Sequence, residues 1–202
     1  MSSITIINGT NENVRIAVFK KPYKQATFNT IAWRIVAPPQ GGLTRVPVPT
    51  NYEVFVNYSF IANERNDPSG GNQTTKLPID STTGRFIVNS SRTNDGQDMV
   101  ASIEQSYTEL VLNEMRIENQ AGFGVWGHIT MDGDDVYPPR VISPGRVLLE
   151  DLRTPLFLAV VDLFISQGDR IVQEEISMTP VAVLIGSTVT VTGSQFDGYS
   201  IR

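Results

Sequence analysis

An all-β fold, mostly antiparallel and sandwich- or barrel-like with at most one short helix, is what this sequence predicts, and three observations carry the prediction. Apolar residues fall in short blocks closed by turn chemistry, as at Gln167-Gly168-Asp169, Thr179-Pro180 and Gly186-Ser187. β-branched residues alternate with polar ones: Thr188-Val189-Thr190-Val191-Thr192 suits one buried and one wet face. The blocks recur every ~8–12 residues, the spacing of a sandwich or barrel rather than of βαβ units.

Taken in order, Ile4 to Ile7 and Val14 to Phe19 flank the loop Asn8 to Asn13 and predict a hairpin with a longer connection than the two-residue ideal. Ile31 to Val36 reads as a third strand, ended by Pro38-Pro39 and Gly41-Gly42. Val46-Pro47-Val48-Pro49 lacks ladder donors at its prolines, so it belongs on an edge or in a polyproline-like segment. Tyr52 to Tyr58 alternates cleanly, and Asn63 to Lys76 is a polar, flexible loop exposed to nicking. Arg85 to Asn89 is a short strand before the turn Thr93-Asn94-Asp95-Gly96. Met99 to Leu112 mixes helical spacing with Ser and Thr that weaken a helix, and strand is preferred. Leu112 to Glu118 continues the alternation, and Val141 to Leu149 is interrupted by Ser143-Pro144-Gly145. Leu156 to Ile165 is apolar on both parities apart from Asp162, as a strand covered on both sides would be. No internal repeat and no linker-rich boundary stands out, so a single domain over residues 1–202 is expected.

The bulk numbers exclude several classes. A chain of 202 residues buries about 70% of its unfolded surface without a staple. With no cysteine there is no disulfide, thiolate metal site or thiol nucleophile. A net charge of −5 argues against nucleic acid, which asks for concentrated Lys and Arg. The opening MSSITIINGT lacks the basic flank and apolar run of a secretory signal, and Asp162 breaks the greasiest stretch, so a cytoplasmic protein without a membrane span is expected, released if at all by a non-classical route.

Motifs for chemistry are thin. Gly122-Phe123-Gly124-Val125-Trp126-Gly127 matches the dinucleotide fingerprint, but His128-Ile129-Thr130-Met131 after it has no helix pattern. The glycines read better as a turn or a close backbone approach beside Trp126. His128 is the only histidine and no nucleophile elbow accompanies it, so neither a triad nor a soft-metal site is indicated. Asp132, Asp134 and Asp135 form the densest acidic cluster and are the candidate Ca²⁺ ligands. Ser143 stands where an EF-hand needs its glutamate, and a solvated turn is the simpler reading. Lys20-Lys21-Pro22-Tyr23-Lys24 offers cations to phosphate or lipid but reads first as a solvated loop. Trp33, Trp126 and Tyr137 are the candidate ligand-binding aromatics, with Tyr199 beside them, and each also suits a core or cross-strand position. No cofactor is called for.

Several pieces resemble the RhiA-type family of rhizosphere-induced, quorum-regulated bacterial proteins: the opening strand ending in Asn8-Gly9-Thr10, then Ala17-Val18-Phe19, Ile31-Ala32-Trp33, Tyr52-Glu53-Val54-Phe55 and Gly122-Phe123-Gly124-Val125. The resemblance spans most of the chain through short strand motifs and departs at Lys20-Lys21-Pro22. It implies a β architecture and a non-enzymatic role, and assigns no site. The expectation is a non-enzymatic structural or interaction protein that associates with itself through sheet edges or apolar surface. The alternative is a module binding a carbohydrate (glycan) or small apolar ligand.

Overall fold

In the computed structural model, residues 2–23, 28–61, 66–80, 82–93, 96 and 98–202 are described. The chain opens with β1 (Ser3–Asn8), β2 (Arg15–Lys20), β3 (Asn29–Ile31), β4 (Arg34–Val36) and β5 (Leu43–Pro47). Then come β6 (Tyr52–Tyr58), β7 (Asn72–Gln73), β8 (Leu77–Ile79), β9 (Gly84–Arg92) and β10 (Met99–Ser106). The second half holds β11 (Met115–Asn119), β12 (Val125–Met131), β13 (Asp134–Asp135), β14 (Arg140–Ile142) and β15 (Val147–Glu150). It closes with β16 (Leu156–Val161), β17 (Arg170–Val172), β18 (Val181–Val183), β19 (Thr188–Ser194) and β20 (Gly198–Ile201). The fold is all-β. Among the described residues only β1–β19 and β9–β11 run parallel, and the one helical element is the 3-10 turn Gln173–Glu175. No helix among the described residues is long and apolar enough to cross a membrane.

By its internal contacts the chain divides into two compact units. The first is Met1–Thr50, Asp134–Pro138 and Thr154–Arg202, and the second is Asn51–Gly133 and Pro139–Arg153.

In the first unit one sheet runs β20-β19-β1-β5 and another β18-β16-β2-β4. β2 and β16 are buried on both parities, as the apolar run from Leu156 predicts, though β16 ends at Val161. One face of the pair, Ala17, Phe19, Ala159 and Val161, is covered by Ala32, Ile165 and Ile171 around the β3–β17 ribbon. The other face, Ile16, Val18, Leu158 and Val160, is equally dry. It has the buried alternation Ile4, Ile6, Val189, Val191 and Ile201 to meet, and β16 lies in contact with β20. Each such side chain removed from water contributes about 1.5–3 kcal/mol.

The second unit repeats this frame. Its first sheet runs β10-β9-β11-β15, and in the other β12 pairs with β14 and β6, with β7 and β8 along the far side of β6. Strand for strand, β11, β12, β14 and β15 match β1, β2, β4 and β5, while β6, β8, β9 and β10 match β16, β18, β19 and β20. Pairings and directions agree throughout. The chain is thus one eight-strand succession written twice, and each unit takes half of its strands from each copy.

The match extends to single hydrogen bonds at two fully buried asparagines. Asn8 ends β1 and Asn119 ends β11, each beside its parallel neighbour, opposite Val191 and Val88. The next amides, of Gly9 and Gln120, donate to the Val191 and Val88 carbonyls, both at 2.8 Å. Gly41 and Gly145 donate to the Asn8 and Asn119 carbonyls at 2.9 and 2.7 Å. The Asn8 Nδ2 donates to the Glu12 and Pro38 carbonyls, and the Asn119 Nδ2 to those of Phe123 and Ile142. Both Oδ1 atoms accept from the amide two residues on, Thr10 or Ala121. Each carboxamide therefore satisfies both of its ends and closes the loop that follows.

That closure corrects the expected hairpin. β1 and β2 do not pair: the Asn8 loop carries the chain from one sheet to the other. The expected strand Ile31 to Val36 is also broken, because the Ala32 amide and carbonyl bond residues 169 and 168 while Arg34 to Val36 pairs with β2. β5 with Pro47 is an edge strand, as its prolines require, and Met99 to Ser106 is a strand. Asn63 to Arg65 of the expected loop and Asn94-Asp95 of the expected turn lie outside the described residues. From Asn66 on, the first of these segments is ordered by β7 and by buried Thr74, which bonds both the amide and the carbonyl of Val56.

Replacing Asn119 by Ala strands the Ala121 amide and the Phe123 and Ile142 carbonyls. We expect a loss of about 3 kcal/mol or more in urea unfolding. Asn119→Asp, nearly the same shape, should lose no less, because an acceptor then faces two carbonyls. A neutral result for either would contradict the role given to this side chain.

Candidate functional site

Three outer features of the second unit stand out: a covered face, a cavity and an open edge. The covered face belongs to β6 and β12. His128 is paired with Phe55 across the ladder, and the rings stack with centroids 4.5 Å apart and planes 8° from parallel. The turn at Asp67 lies over them. Asp67 Oδ1 accepts from the Ser69 amide and hydroxyl, which holds its carboxyl below the usual carboxylate range. The turn presents the Pro68 carbonyl to Asn57 Nδ2 at 2.7 Å and to His128 Nε2 at 2.9 Å. A carbonyl only accepts, so this Nε2 carries the proton. Lys76 Nζ stands 4.9 Å from the Phe55 ring centre.

The cavity, of about 390 Å³, sits where β6 ends and β12 begins. Its walls include Tyr58, Phe60, Phe123, Trp126 and Val141, and Gly122 and Gly124 border it. Phe60 and Phe123 meet edge to face at 4.8 Å, and Tyr58 leans on both at 6.0 and 5.6 Å. Trp126 lies opposite Val141 on the outer side of the sheet, half-buried. Phe123 is positioned by Asn119, whose Nδ2 holds its carbonyl at 2.8 Å.

The first unit has a cavity of about 340 Å³ with a different character, lined among others by Glu12, Arg15, Asp162, Ser177 and Tyr199. The Tyr199 hydroxyl donates to Glu12 at 2.5 Å; burial first, then this carboxylate, pushes the phenol up to about 12. Arg15 Nη1 donates to the Leu163 carbonyl at 2.6 Å.

No family model, curated protein or solved structure matches the chain. The site is therefore read from its own residues.

Of the three candidate aromatics, Trp126 lines one of these two cavities, and Trp33 and Tyr137 line neither. Trp33 is buried in the first unit with the Arg34 guanidinium 4.4 Å from its ring centre. Tyr137 is buried there too, its hydroxyl 3.3 Å from the Thr154 hydroxyl. Tyr58, Phe60 and Phe123 were not among the sequence-based ligand candidates, although Tyr58 closes an alternating strand and Phe123 sits in the glycine run. In the acidic cluster, Asp132 turns the chain with φ 58°, and Asp134 is ion-paired to Arg34 and accepts from Gln167 Nε2 at 3.1 Å. Among the described residues no three His, Asp or Glu side chains gather as a metal would require. In the Lys20–Lys24 loop, Lys20 is buried at the end of β2 and donates to the Thr154 carbonyl, and Lys21 stands over Phe157, while Lys24 lies outside the described residues.

The open edge is β10. It pairs only with β9 among the described strands, over eight residues. The Thr93 amide donates to the Asp98 carbonyl, and an antiparallel ladder alternates from there. Val100, Ser102, Glu104 and Ser106 are thus the residues bonded to β9, and the N–H and C=O groups of Met99, Ala101, Ile103 and Gln105 point to the open side. The chain then exposes Tyr107, Leu110, Val111 and Leu112.

The glycine run separates into two kinds of position. A Cβ on Gly127 would meet Ile142 Cδ1 at 2.8 Å, Leu148 Cδ2 at 2.9 Å and Ile117 Cδ1 at 3.3 Å, where the two sheets of the unit pack. On Gly124 it would meet only Val141 Cγ1 at 3.8 Å. Gly127→Ala should therefore cost about 1–3 kcal/mol, and Gly124→Ala should stay within about 0.5 kcal/mol, in denaturant titrations. Equal effects would contradict this assignment of the motif.

Proposed function

We propose that the protein is a non-enzymatic interaction protein that associates with further copies of itself by strand addition at β10. The observation that carries this reading is the open edge: four residues whose backbone groups face outward, on a strand with neither Pro nor Lys to block pairing and with Glu104 as its only charge. A second copy fits this edge. Antiparallel pairing centred on Ser102 sets Met99 against Gln105 and Ala101 against Ile103, so outward groups meet outward groups. It also sets Val100 against Glu104, so the two like charges do not oppose each other. The apolar run Tyr107 to Leu112 adjoins the edge and adds surface that gains by leaving water. The resemblance to RhiA-type proteins implies the same non-enzymatic class.

Two variants test the reading without touching the ladder to β9. Ala101→Pro removes an outward amide only, and Val100→Lys places a cation on the exposed face of the strand. Light scattering across protein concentration should show the wild type at twice the chain mass or more. Both variants should keep cooperative unfolding and fall to the mass of a single chain. A wild type that stays a single chain at every concentration, or folded variants that still associate, would overturn the proposal.

A further inference from the structure

The two cavities occupy one place in the duplicated frame. Counted from the buried asparagines, Glu12, Asn13, Val14 and Arg15 stand where Phe123, Gly124, Val125 and Trp126 stand. The registers Ala17–Ala159 and His128–Phe55, continued three residues, set Asp162 on Tyr58. Each cavity lies between the loop that an asparagine closes and the turn after the partner strand. The frame makes the hollow, and the lining decides what enters it.

We infer that the cavity of the second unit is a binding site for a small uncharged aromatic ring compound. Its volume of about 390 Å³ is at the low end of small-molecule sites, roughly 300–1,000 Å³, and suits one or two fused rings. Where the first unit brings Glu12, Arg15 and Asp162, the second brings Phe123, Trp126 and Tyr58, and among the described residues no charged side chain lines it. A charged ligand would lose its hydration there and meet no counter-charge from that lining. A sugar would bury several hydroxyls against few polar side-chain groups, at about 1–3 kcal/mol for each one left unpaired. A flat neutral ring meets what the walls present. Tyr58 and Phe123 each meet Phe60 edge to face and lean on one another at a tilt of 40°, so the walls are set before anything binds.

The two bordering glycines add an independent argument. Neither Gly122 nor Gly124 has a positive φ, and a Cβ on Gly122 would meet nothing within 4 Å. Neither the local conformation nor packing requires glycine at these positions. What their bareness provides is room along the part of the cavity that they line.

Indole is the probe. The chain has two tryptophans, one in the cavity and one buried in the first unit, so ¹H–¹⁵N spectra carry two indole signals to compare. Titration should move the Trp126 signal saturably and leave that of Trp33 in place. Methyl glucoside and indole-3-acetate should move neither. Gly124→Leu, which puts a bulky side chain on the cavity lining, should weaken indole binding by about tenfold or more while keeping the wild-type unfolding midpoint, and Trp126→Ala should weaken it comparably. The inference is overturned if Trp126 stays unmoved up to the solubility limit of indole, if the glucoside or the charged acid binds as well, or if Gly124→Leu binds indole like the wild type.

Discussion

Two buried carboxamides, Asn8 and Asn119, hold this chain to its course. Each ends the strand that lies beside a parallel neighbour, and each spends its donor on two carbonyls and its acceptor on a backbone amide. Buried polar groups persist when every lone pair and proton is used, and these two are satisfied at both ends. The consequence is long-range. The loop that the carboxamide closes delivers the next strand to the opposite sheet, and the carbonyl it holds, of Glu12 or Phe123, belongs to a wall of the cavity.

Much of the fold was legible in the alternation of side chains. The run Thr188 to Thr192 buries Val189 and Val191, and the run from Leu156 is covered on both faces. What stayed hidden was pairing. Strands adjacent in sequence at Ile4 and Val14 look like a hairpin, because nothing local announces that Asn8 turns its loop across the sandwich. The duplication was invisible for a related reason: at matched places one copy has Arg15 and Ala17 where the other has Trp126 and His128. Backbone pairing and burial conserve the frame while the outward residues change. The cavity suffered the same fate, since Tyr58, Phe60 and Phe123 converge only through the β6–β12 ladder.

Packing also explains residues that looked chemical. Gly127 is bare because Ile117, Ile142 and Leu148 close over it, and His128 beside it stacks on Phe55 under the Asp67 turn. The polar lattice on the outer side of the neighbouring sheet is structural as well. Arg85 donates two bonds of 2.8 Å to Glu118 and with Arg116 keeps that carboxyl below its ordinary range. The β10 edge and the cavity between β6 and β12 both lie in the second unit.

Amide hydrogen exchange at the asparagine loops tests the frame most directly. Loop amides usually exchange quickly, whereas those tied into a core follow the strands. The account predicts that Thr10 and Ala121, bonded to the two carboxamides, and Gly9 and Gln120, bonded across the parallel pairs, exchange as slowly as β2 and β12. Rapid exchange at these four, or protection in one copy and not in the other, would contradict it.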